Sequence, residues 1–298
     1  MASSDPGRLR RVVSILAVLG TVPYLALKIA WLAGSRAGLE DPDFGRGVVM
    51  HLANALTLSM DAVAVLMAAA FVMPFGQRLR PALVLVPMWI GTGLLAPIVV
   101  VVPLQLALGV PEATTGRPSP IADWVFAVVY GGFMWQGVFL MAGFALYARA
   151  RWGADGGRTW PRTPPSRGTV VAGVLLAVAS ALVWLEDVTG DRSLPNLLGD
   201  ELLLAAAALG LVGLHSVRMS RRTVVILVWV GSGAAVAWGA YDLVLQVVPN
   251  DLTEGGDTVS ILSAAARLLA GAAALSVLAR VRTVASASHP ARALQGGA

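Results

Sequence analysis

Residues 12–34 read VVSILAVLGTVPYLALKIAWLAG and include Lys28, the only lysine in the chain. The segment is long enough to cross a bilayer as an α-helix, which needs about 20 apolar residues. A charged side chain near the centre of such a helix costs roughly 2.5–3.5 kcal/mol, and it usually faces a bundle interior or a wet cavity with a partner. The segment therefore predicts a membrane span and a polar site inside the membrane.

Seven further segments have the length and apolarity of a membrane span. The eight predicted spans are 12–34, 47–73, 81–108, 122–148, 168–189, 194–217, 222–248 and 258–281. The sixth is the weakest, because its apolar core is short unless Asp200 and Glu201 lie within the membrane. The chain is 57% hydrophobic and 13% charged, with a mean hydropathy of +0.74. This composition excludes an ordinary soluble domain and predicts an all-α polytopic membrane protein with eight transmembrane helices.

The arginines predict the orientation of these helices. The N-terminal segment, the even-numbered loops and the C-terminal segment hold sixteen arginines, whereas the opposite loops hold only Arg36, Arg46, Arg117 and Arg192. By the positive-inside rule, both termini are cytoplasmic and the protein is a multi-pass component of the inner (plasma) membrane. Residues 1–11 run into the first span without a convincing cleavage site, so we expect a signal-anchor.

Two similar motifs predict an internal duplication. Residues 89–93 read WIGTG and residues 229–233 read WVGSG, and the same offset of 140 places Asp61 on Glu201. A duplicated four-span unit would give two parallel repeats related by an axis along the membrane normal. The alternative is coincidence in a composition rich in Gly, Val and Ala. The predicted units are a first four-helix repeat at 1–149, a cytoplasmic linker at 150–167, a second four-helix repeat at 168–283 and a disordered tail at 284–298.

Charged residues within the spans are concentrated in the outer halves. The acids are Asp61, Asp242, Glu201 and Glu186, and the bases are Lys28 and Arg267. Two bases cannot neutralise four acids, so we expect at least one carboxyl group to be protonated, because burial disfavours the charged form. A buried neutral carboxyl group is a proton donor, which serves both a general-acid enzyme and a proton-coupled transporter. These four carboxyl groups are the candidate catalytic residues.

Other polar and aromatic residues share helix faces with these charges. For example, His51, Asn54 and Asp61 follow the i, i+3, i+10 spacing of one face. We predict an amphiphilic chamber that opens outward or into the outer leaflet and binds a lipophilic small molecule. Its candidate substrate-binding residues are Lys28, His51, Asn54, Trp89, Tyr130, Phe133, Gln136, Trp238, Tyr241 and Arg267.

Structural roles are the alternative for the same residues. Lys28 would then pair with Asp61 or Asp242, and Arg267 with Glu201 or Asp242, only to hold the bundle together. His51 would be a residue of the membrane boundary. Asp123, Asp187 and Asp200 would be interfacial or helix-capping residues.

Several classes of cofactor site lack their sequence motifs. The chain has no cysteine, and its three histidines are widely separated, so we predict no metal site. It has no P-loop, no dinucleotide-binding glycine motif and no Asp-rich diphosphate–magnesium motif. We expect no cofactor, and no nucleic-acid partner despite an isoelectric point near 10.4. The oligomeric state is left open.

The first half resembles a known group of actinobacterial enzymes. The resemblance lies mainly in residues 20–105, in YLALK (24–28), Trp31, Met60-Asp61 and WIGTGLLAP (89–97). These stretches are similar to the bacterial membrane-bound terpene cyclases that act on prenylated indole compounds, the drimentine-type indole sesquiterpenoid cyclases. The resemblance implies cyclisation of a farnesyl chain on an indole or diketopiperazine head, begun by protonation of an alkene. No diphosphate leaves in such a reaction.

Residue chemistry is compatible with that reaction. Asp61 is the best-placed proton donor, with Asp242 or Glu201 as a second. A carbocation is stabilised by aromatic faces, which contribute about 2 kcal/mol or more when desolvated, and the candidate rings are those of Trp89, Trp238, Tyr241, Tyr130 and Phe133.

Two other classes of protein fit the same residues. One is a proton-coupled transporter or binding protein for a small lipophilic molecule. The other is a structural or accessory subunit.

Overall fold

The chain forms a bundle of long α-helices. The computed structural model describes residues 6–41, 44–45, 47–108, 120–153, 164–189, 194–216, 218–249 and 256–287. The helices in these ranges are α1 (Pro6–Leu32), α2 (Val48–Val72), α3 (Pro74–Arg78), α4 (Pro81–Leu108), α5 (Asp123–Trp152), α6 (Arg167–Thr189), α7 (Leu194–Gly213), α8 (Arg221–Val247) and α9 (Thr258–Ala287). Within these ranges the structure contains no β-strand and one isolated bridge, between Leu39 and Ile121.

Eight of these helices are long and apolar enough to cross a membrane, and α3 is a short turn between α2 and α4. The predictions of an all-α fold and of eight spans are therefore confirmed. The sixth span, α7, includes Asp200 and Glu201, so its full length takes both carboxyl groups into the apolar part of the bundle. Helix α9 continues beyond the predicted end at 281 to Ala287. Residues 154–163 of the predicted linker and 288–298 of the predicted tail lie outside the described residues.

The arginines that predicted the orientation can be placed for most of the chain. We call the end of the bundle where α1 begins and α9 ends the near side, and the opposite end the far side. Thirteen of the sixteen arginines, from Arg8 in α1 to Arg282 in α9, lie in the described residues at or near the near-side ends of helices. Of the arginines used above, Arg46, Arg117, Arg158, Arg162, Arg192 and Arg292 lie outside the described residues.

The two halves of the bundle pack in a similar way. In the first half α1 packs on α2 and α5, and α4 packs on α5. In the second half α6 packs on α7 and α9, and α8 packs on α9. The halves differ in one contact, because α7 packs closely on α8 whereas α2 touches α4 only weakly. The halves meet mainly where α4 contacts α8, which are the third spans of the two predicted repeats. This arrangement is compatible with the duplication, which stays a prediction.

The two similar motifs lie against each other where α4 meets α8. A Cβ atom added to Gly93 would lie 2.2 Å from the carbonyl oxygen of Gly233, so the two backbones touch. The indole nitrogen of Trp89 donates a hydrogen bond of 3.2 Å to the hydroxyl of Ser232. Small residues let transmembrane helices approach closely, and packing rather than water exclusion then holds them together. The motifs thus form the central contact between the halves.

The near-side turn α3 is fixed by side chains from the end of α5. Tyr147 is fully buried, and its hydroxyl donates a 2.6 Å hydrogen bond to the carbonyl of Gly76. Arg151 donates to the same carbonyl, at 3.1 Å, and to the carbonyl of Leu79. These bonds satisfy carbonyl groups at the end of a five-residue helix, which has few internal partners for them.

Candidate functional site

Lys28 and Asp61 form a buried ion pair between α1 and α2. The Lys28 Nζ donates to the Asp61 Oδ2 at 3.1 Å, and the two residues are 0% and 6% exposed. Asp61 lies midway along α2, and Lys28 lies about one turn from the far-side end of α1. This is one of the two partners that the sequence allowed for the lysine. Each charge offsets part of the cost of burying the other.

The ring of Tyr24 lies against the ammonium group of Lys28. The Lys28 Nζ lies 3.9 Å from the centroid of the Tyr24 ring, one helical turn earlier on α1. The edge of that ring meets Phe133 of α5, with the two centroids 4.9 Å apart and the planes at 86°. A cation held over a ring face is stabilised by the negative charge of the π-system. The site therefore combines a carboxyl group with one aromatic face that already lies beside a positive charge.

A second ion cluster lies in the other half, on α7, α8 and α9. Arg267 is 3% exposed, and its Nη2 donates to the Asp242 Oδ2 at 2.6 Å. Its Nη1 lies 3.4 Å from the Asp200 Oδ2. The pairing of Arg267 with Asp242 is one that the sequence allowed, whereas Asp200 joins the cluster instead of only capping α7. Both carboxylates face a guanidinium group that does not lose its charge.

Replacing Arg267 is expected to destabilise this cluster. The Arg267→Met variant removes the guanidinium group that both carboxylates contact, so we expect the free energy of unfolding to fall by about 3–5 kcal/mol. Arg267→Lys should recover only part of this loss, because one ammonium group lacks the fixed fork that reaches both carboxylates. Unfolding of the purified protein in mixed micelles measures the change. Arg222→Met, at an exposed near-side position, is the control and should change stability by less than about 0.5 kcal/mol. Equal losses in Met and control variants would contradict the structural role of the cluster.

A small cavity of about 10 Å³ adjoins Arg267. Asp200 and Trp238 line it, and the Arg267 Nε is buried without a hydrogen-bond partner in the described part of the chain. A volume of this size holds about one water molecule. The Trp238 indole donates to the carbonyl of Leu94 at 3.2 Å and so ties α8 to α4. Its ring packs edge-on to Tyr241, with the centroids 5.5 Å apart.

Two tyrosines lie within electrostatic range of the two ion clusters and of each other. Tyr24 interacts electrostatically with Asp61 and with Tyr241, and Tyr241 does so with Asp242. The phenol groups thus connect the Lys28–Asp61 pair of the first half to the Asp242–Arg267 pair of the second.

The other two candidate carboxyl groups, those of Glu201 and Glu186, lie on α7 and α6. The Glu201 Oε2 accepts a 2.7 Å hydrogen bond from Ser180 of α6, while its Oε1 is buried without a partner among the described residues. Glu186 is half-buried near the far-side end of α6. Neither takes part in the ion pairs of Lys28 and Arg267. Glu201 is half-buried, and none of the described bases forms an ion pair with it.

His51 and Asn54 line a pocket at the far side of the first half. The pocket has a volume of about 310 Å³ and is bounded by the end of α1, the start of α2, Ile121 and six residues of the intervening loop, which are Gly34, Ser35, Arg36, Leu39, Phe44 and Gly45. Trp31 and Arg36, which the prediction of substrate contacts did not include, also line it. Trp31 follows Lys28 by one turn of α1, so the pocket lies directly beyond the buried pair.

The remaining candidates are distributed over the bundle. Gln136 is buried on α5 where that helix crosses α1 at Gly20. Tyr130 stacks on Phe126 one turn away, with the centroids 6.3 Å apart. Trp89 lies about two turns from the near-side end of α4 and bonds to Ser232, far from the outer-half charges along the helix. Geometry gives Trp89 a packing role between α4 and α8.

Sequence reasoning did not identify three side chains of these clusters. Ser180, the partner of Glu201, is a small polar residue of the kind that often lies in apolar helices. Tyr24 shares a helix face with Lys28, and that spacing was the available signal for it. Asp200 was expected only as an interfacial or helix-capping residue, because the sequence does not show that Arg267 of α9, 67 positions away, contacts it.

The fold and these clusters define a multi-pass helical membrane protein with buried ion pairs in both halves. No protein-family model matches the chain, and the searches of curated proteins and of solved structures returned no similar protein. In the described residues, no three His, Asp or Glu side chains are grouped so that they could hold a metal ion.

Proposed function

We propose that the protein is an integral-membrane terpene cyclase that protonates and cyclises a prenyl chain, of farnesyl length, on an indole-type substrate. The observation that supports this most is the buried carboxyl group of Asp61 beside a cation that already lies over the Tyr24 ring. The reaction needs the same two elements, a proton source shielded from water and aromatic faces that stabilise a carbocation. The resemblance in residues 20–105 favours the same activity.

The proton is supplied in the proposed mechanism by the Lys28–Asp61 pair. Transfer of one ammonium hydrogen to Asp61 leaves a neutral amine and a neutral carboxylic acid, which then protonates a terminal alkene of the chain. The resulting carbocation is attacked by the next alkene, and the ring closes. Loss of a proton from a carbon next to the final cation ends the sequence, and that proton restores the charge of the pair.

The geometry ranks the four candidate acids. Asp242 is held beside the permanent charge of Arg267, which stabilises its carboxylate form, so it is the poorest proton donor. Asp61 has a partner that can return a proton to it. Glu201 has a hydroxyl partner and no base in the described residues, which makes it the second candidate.

Purified protein in lipid nanodiscs, incubated with a 3-farnesylindole, tests the activity. We expect a cyclised isomer of unchanged mass, and a rate lower by about 10²–10⁴-fold in Asp61→Asn, the loss typical of removing a general acid. Asp123→Asn makes the same chemical change at an exposed position and should keep the native rate. Absence of product with the native protein, or an unchanged rate in Asp61→Asn, would overturn the proposal.

A proton-coupled transporter or binding protein for a small lipophilic molecule is the second candidate, favoured by the same membrane-buried pair. Transporter sites are commonly built from broken helices. In this bundle α1 remains helical through Pro23, and α4 through its three prolines. Uptake into proteoliposomes that depends on a pH gradient, without product formation, would favour the transporter.

We also propose that both termini lie in the cytoplasm and that the membrane is the inner (plasma) membrane. The near-side position of the described arginines supports this orientation. The partners in this proposal are the lipophilic substrate and the surrounding membrane lipids.

A further inference from the structure

The far-side pocket of about 310 Å³ has two kinds of wall. Trp31, Leu32 and Phe44 provide apolar and aromatic surface, and His51 and Asn54 provide hydrogen-bonding groups. Arg36 also lines the polar side, where its guanidinium group donates to the carbonyls of Phe44 and Asp41. Ligand pockets have volumes of about 300–1,000 Å³ and combine apolar walls with a few polar groups. The pocket is at the lower end of that range, so it fits the head of an amphiphile and not its whole length.

The hydrogen-bonding groups define the head group. The His51 Nδ1 lies 3.0 Å from the carbonyl oxygen of Gly47, and a carbonyl only accepts, so Nδ1 is the donor. In the imidazole tautomer with its hydrogen on Nδ1, the other ring nitrogen, Nε2, is an acceptor. The Asn54 amide offers both a donor and an acceptor. The indole N–H of Trp31 is already used by the carbonyl of Ala37, at 2.9 Å, so this side chain contributes chiefly its ring face.

The pocket is also aligned with the buried ion pair. Trp31 follows Lys28 by three residues on α1, a rise of about 4.5 Å, and Asn54 precedes Asp61 by seven residues on α2, a rise of about 10 Å. Both spacings keep the residues on one helix face. A chain attached to a head group in the pocket therefore reaches the level of Lys28 and Asp61 within about 10 Å.

From this arrangement we propose that the pocket binds the head group of an amphiphile whose chain extends toward the Lys28–Asp61 pair. The head group is planar, and it carries an N–H that donates to His51 Nε2. Asn54 bonds a second polar atom of the head group, and Trp31 covers its face. This inference rests on the proposed function for the identity of the chain, and it adds the part of the protein that recognises the head.

Binding of two probes tests the pocket without requiring turnover. The probes are 3-farnesylindole and its N-methyl derivative, which lacks the N–H donor, and their affinities for protein in nanodiscs are measured by thermophoresis. We expect the native protein to bind the N-methyl probe about 5- to 10-fold more weakly, as for loss of one hydrogen bond. His51→Phe should weaken 3-farnesylindole by a similar factor and abolish the difference between probes. Asn54→Leu should weaken both probes alike.

Ser59→Ala, at an exposed position of α2 outside the pocket, is the control and should behave as the native protein. His51 is itself exposed, so its replacement leaves the packing of the bundle intact. The proposal that the pocket binds the head group would be overturned by equal affinities of the native protein for the two probes. It would also be overturned by a His51→Phe variant that still binds 3-farnesylindole more tightly than the N-methyl probe. Discrimination without any cyclised product would support the pocket and overturn the cyclase. Cyclised product formed with an unchanged KM in His51→Phe and Asn54→Leu would support the cyclase and overturn the head-group pocket.

Discussion

The double variant Lys28→Met/Asp61→Leu is expected to be about as stable as the native protein, whereas each single variant loses about 3–5 kcal/mol. Each single change leaves one charged group buried at 0% or 6% exposure without its partner. The double change replaces both with apolar side chains of similar size, which removes the cost of burying charge. Unfolding curves of the four proteins in mixed micelles give the coupling energy directly.

This double variant also separates folding from chemistry. We expect it to form no cyclised product from 3-farnesylindole, although it remains folded. A purely structural pair would give the opposite result, a stable double variant with native activity. Losses that simply add in the double variant would show that the two side chains do not interact in the folded protein.

Gly93→Ala is expected to disrupt the contact between the two halves. The added Cβ would lie 2.2 Å and 2.3 Å from backbone atoms of Gly233, and backbone cannot move aside as a flexible side chain can. Helices α4 and α8 must then separate, at a cost of at least about 2–3 kcal/mol. The thermal midpoint of the detergent-solubilised protein, followed by size-exclusion chromatography after heating, measures the loss.

The same motif supplies the control. An added Cβ at Gly91 meets nothing within 4 Å, so Gly91→Ala should gain about 0.5–1 kcal/mol from its higher helix propensity. At Gly233 the nearest atoms would be 3.0–3.3 Å away, which predicts an intermediate loss. The expected order of stability is Gly91→Ala, then Gly233→Ala, then Gly93→Ala. A Gly93→Ala variant as stable as Gly91→Ala would contradict the crossing of α4 and α8.

The spans could be predicted from the sequence because each needs only local information. Twenty apolar residues must form a helix in a bilayer, since no water is available for the backbone groups. The partner of Lys28 was narrowed to two acids because buried charges in a membrane need partners. The choice of Asp61 over Asp242 depended on which helix packs beside α1, and this contact is between residues 33 positions apart.

The predicted chamber shows what the sequence did not resolve. Helix periodicity placed Asp61, His51 and Asn54 on one face of α2, and the structure distributes them between the buried pair and the far-side pocket. The position of each residue along α2 decides whether it joins the buried pair or the far-side pocket. Trp89 was assigned to substrate contacts because the sequence does not show that Ser232, which lies 143 positions away, accepts its indole hydrogen.

By itself the sequence determined the number of spans, the ends of the spans at which the arginines lie and the excess of acids over bases within the spans. These properties follow from hydrophobicity and charge, which act on each segment separately. Only the tertiary structure decided that Lys28 pairs with Asp61, that Arg267 holds Asp242 and Asp200, and that Glu201 is left with Ser180. The physical reason is that these contacts depend on how helices from distant parts of the chain pack, and close approaches such as Gly93 on Gly233 set that packing.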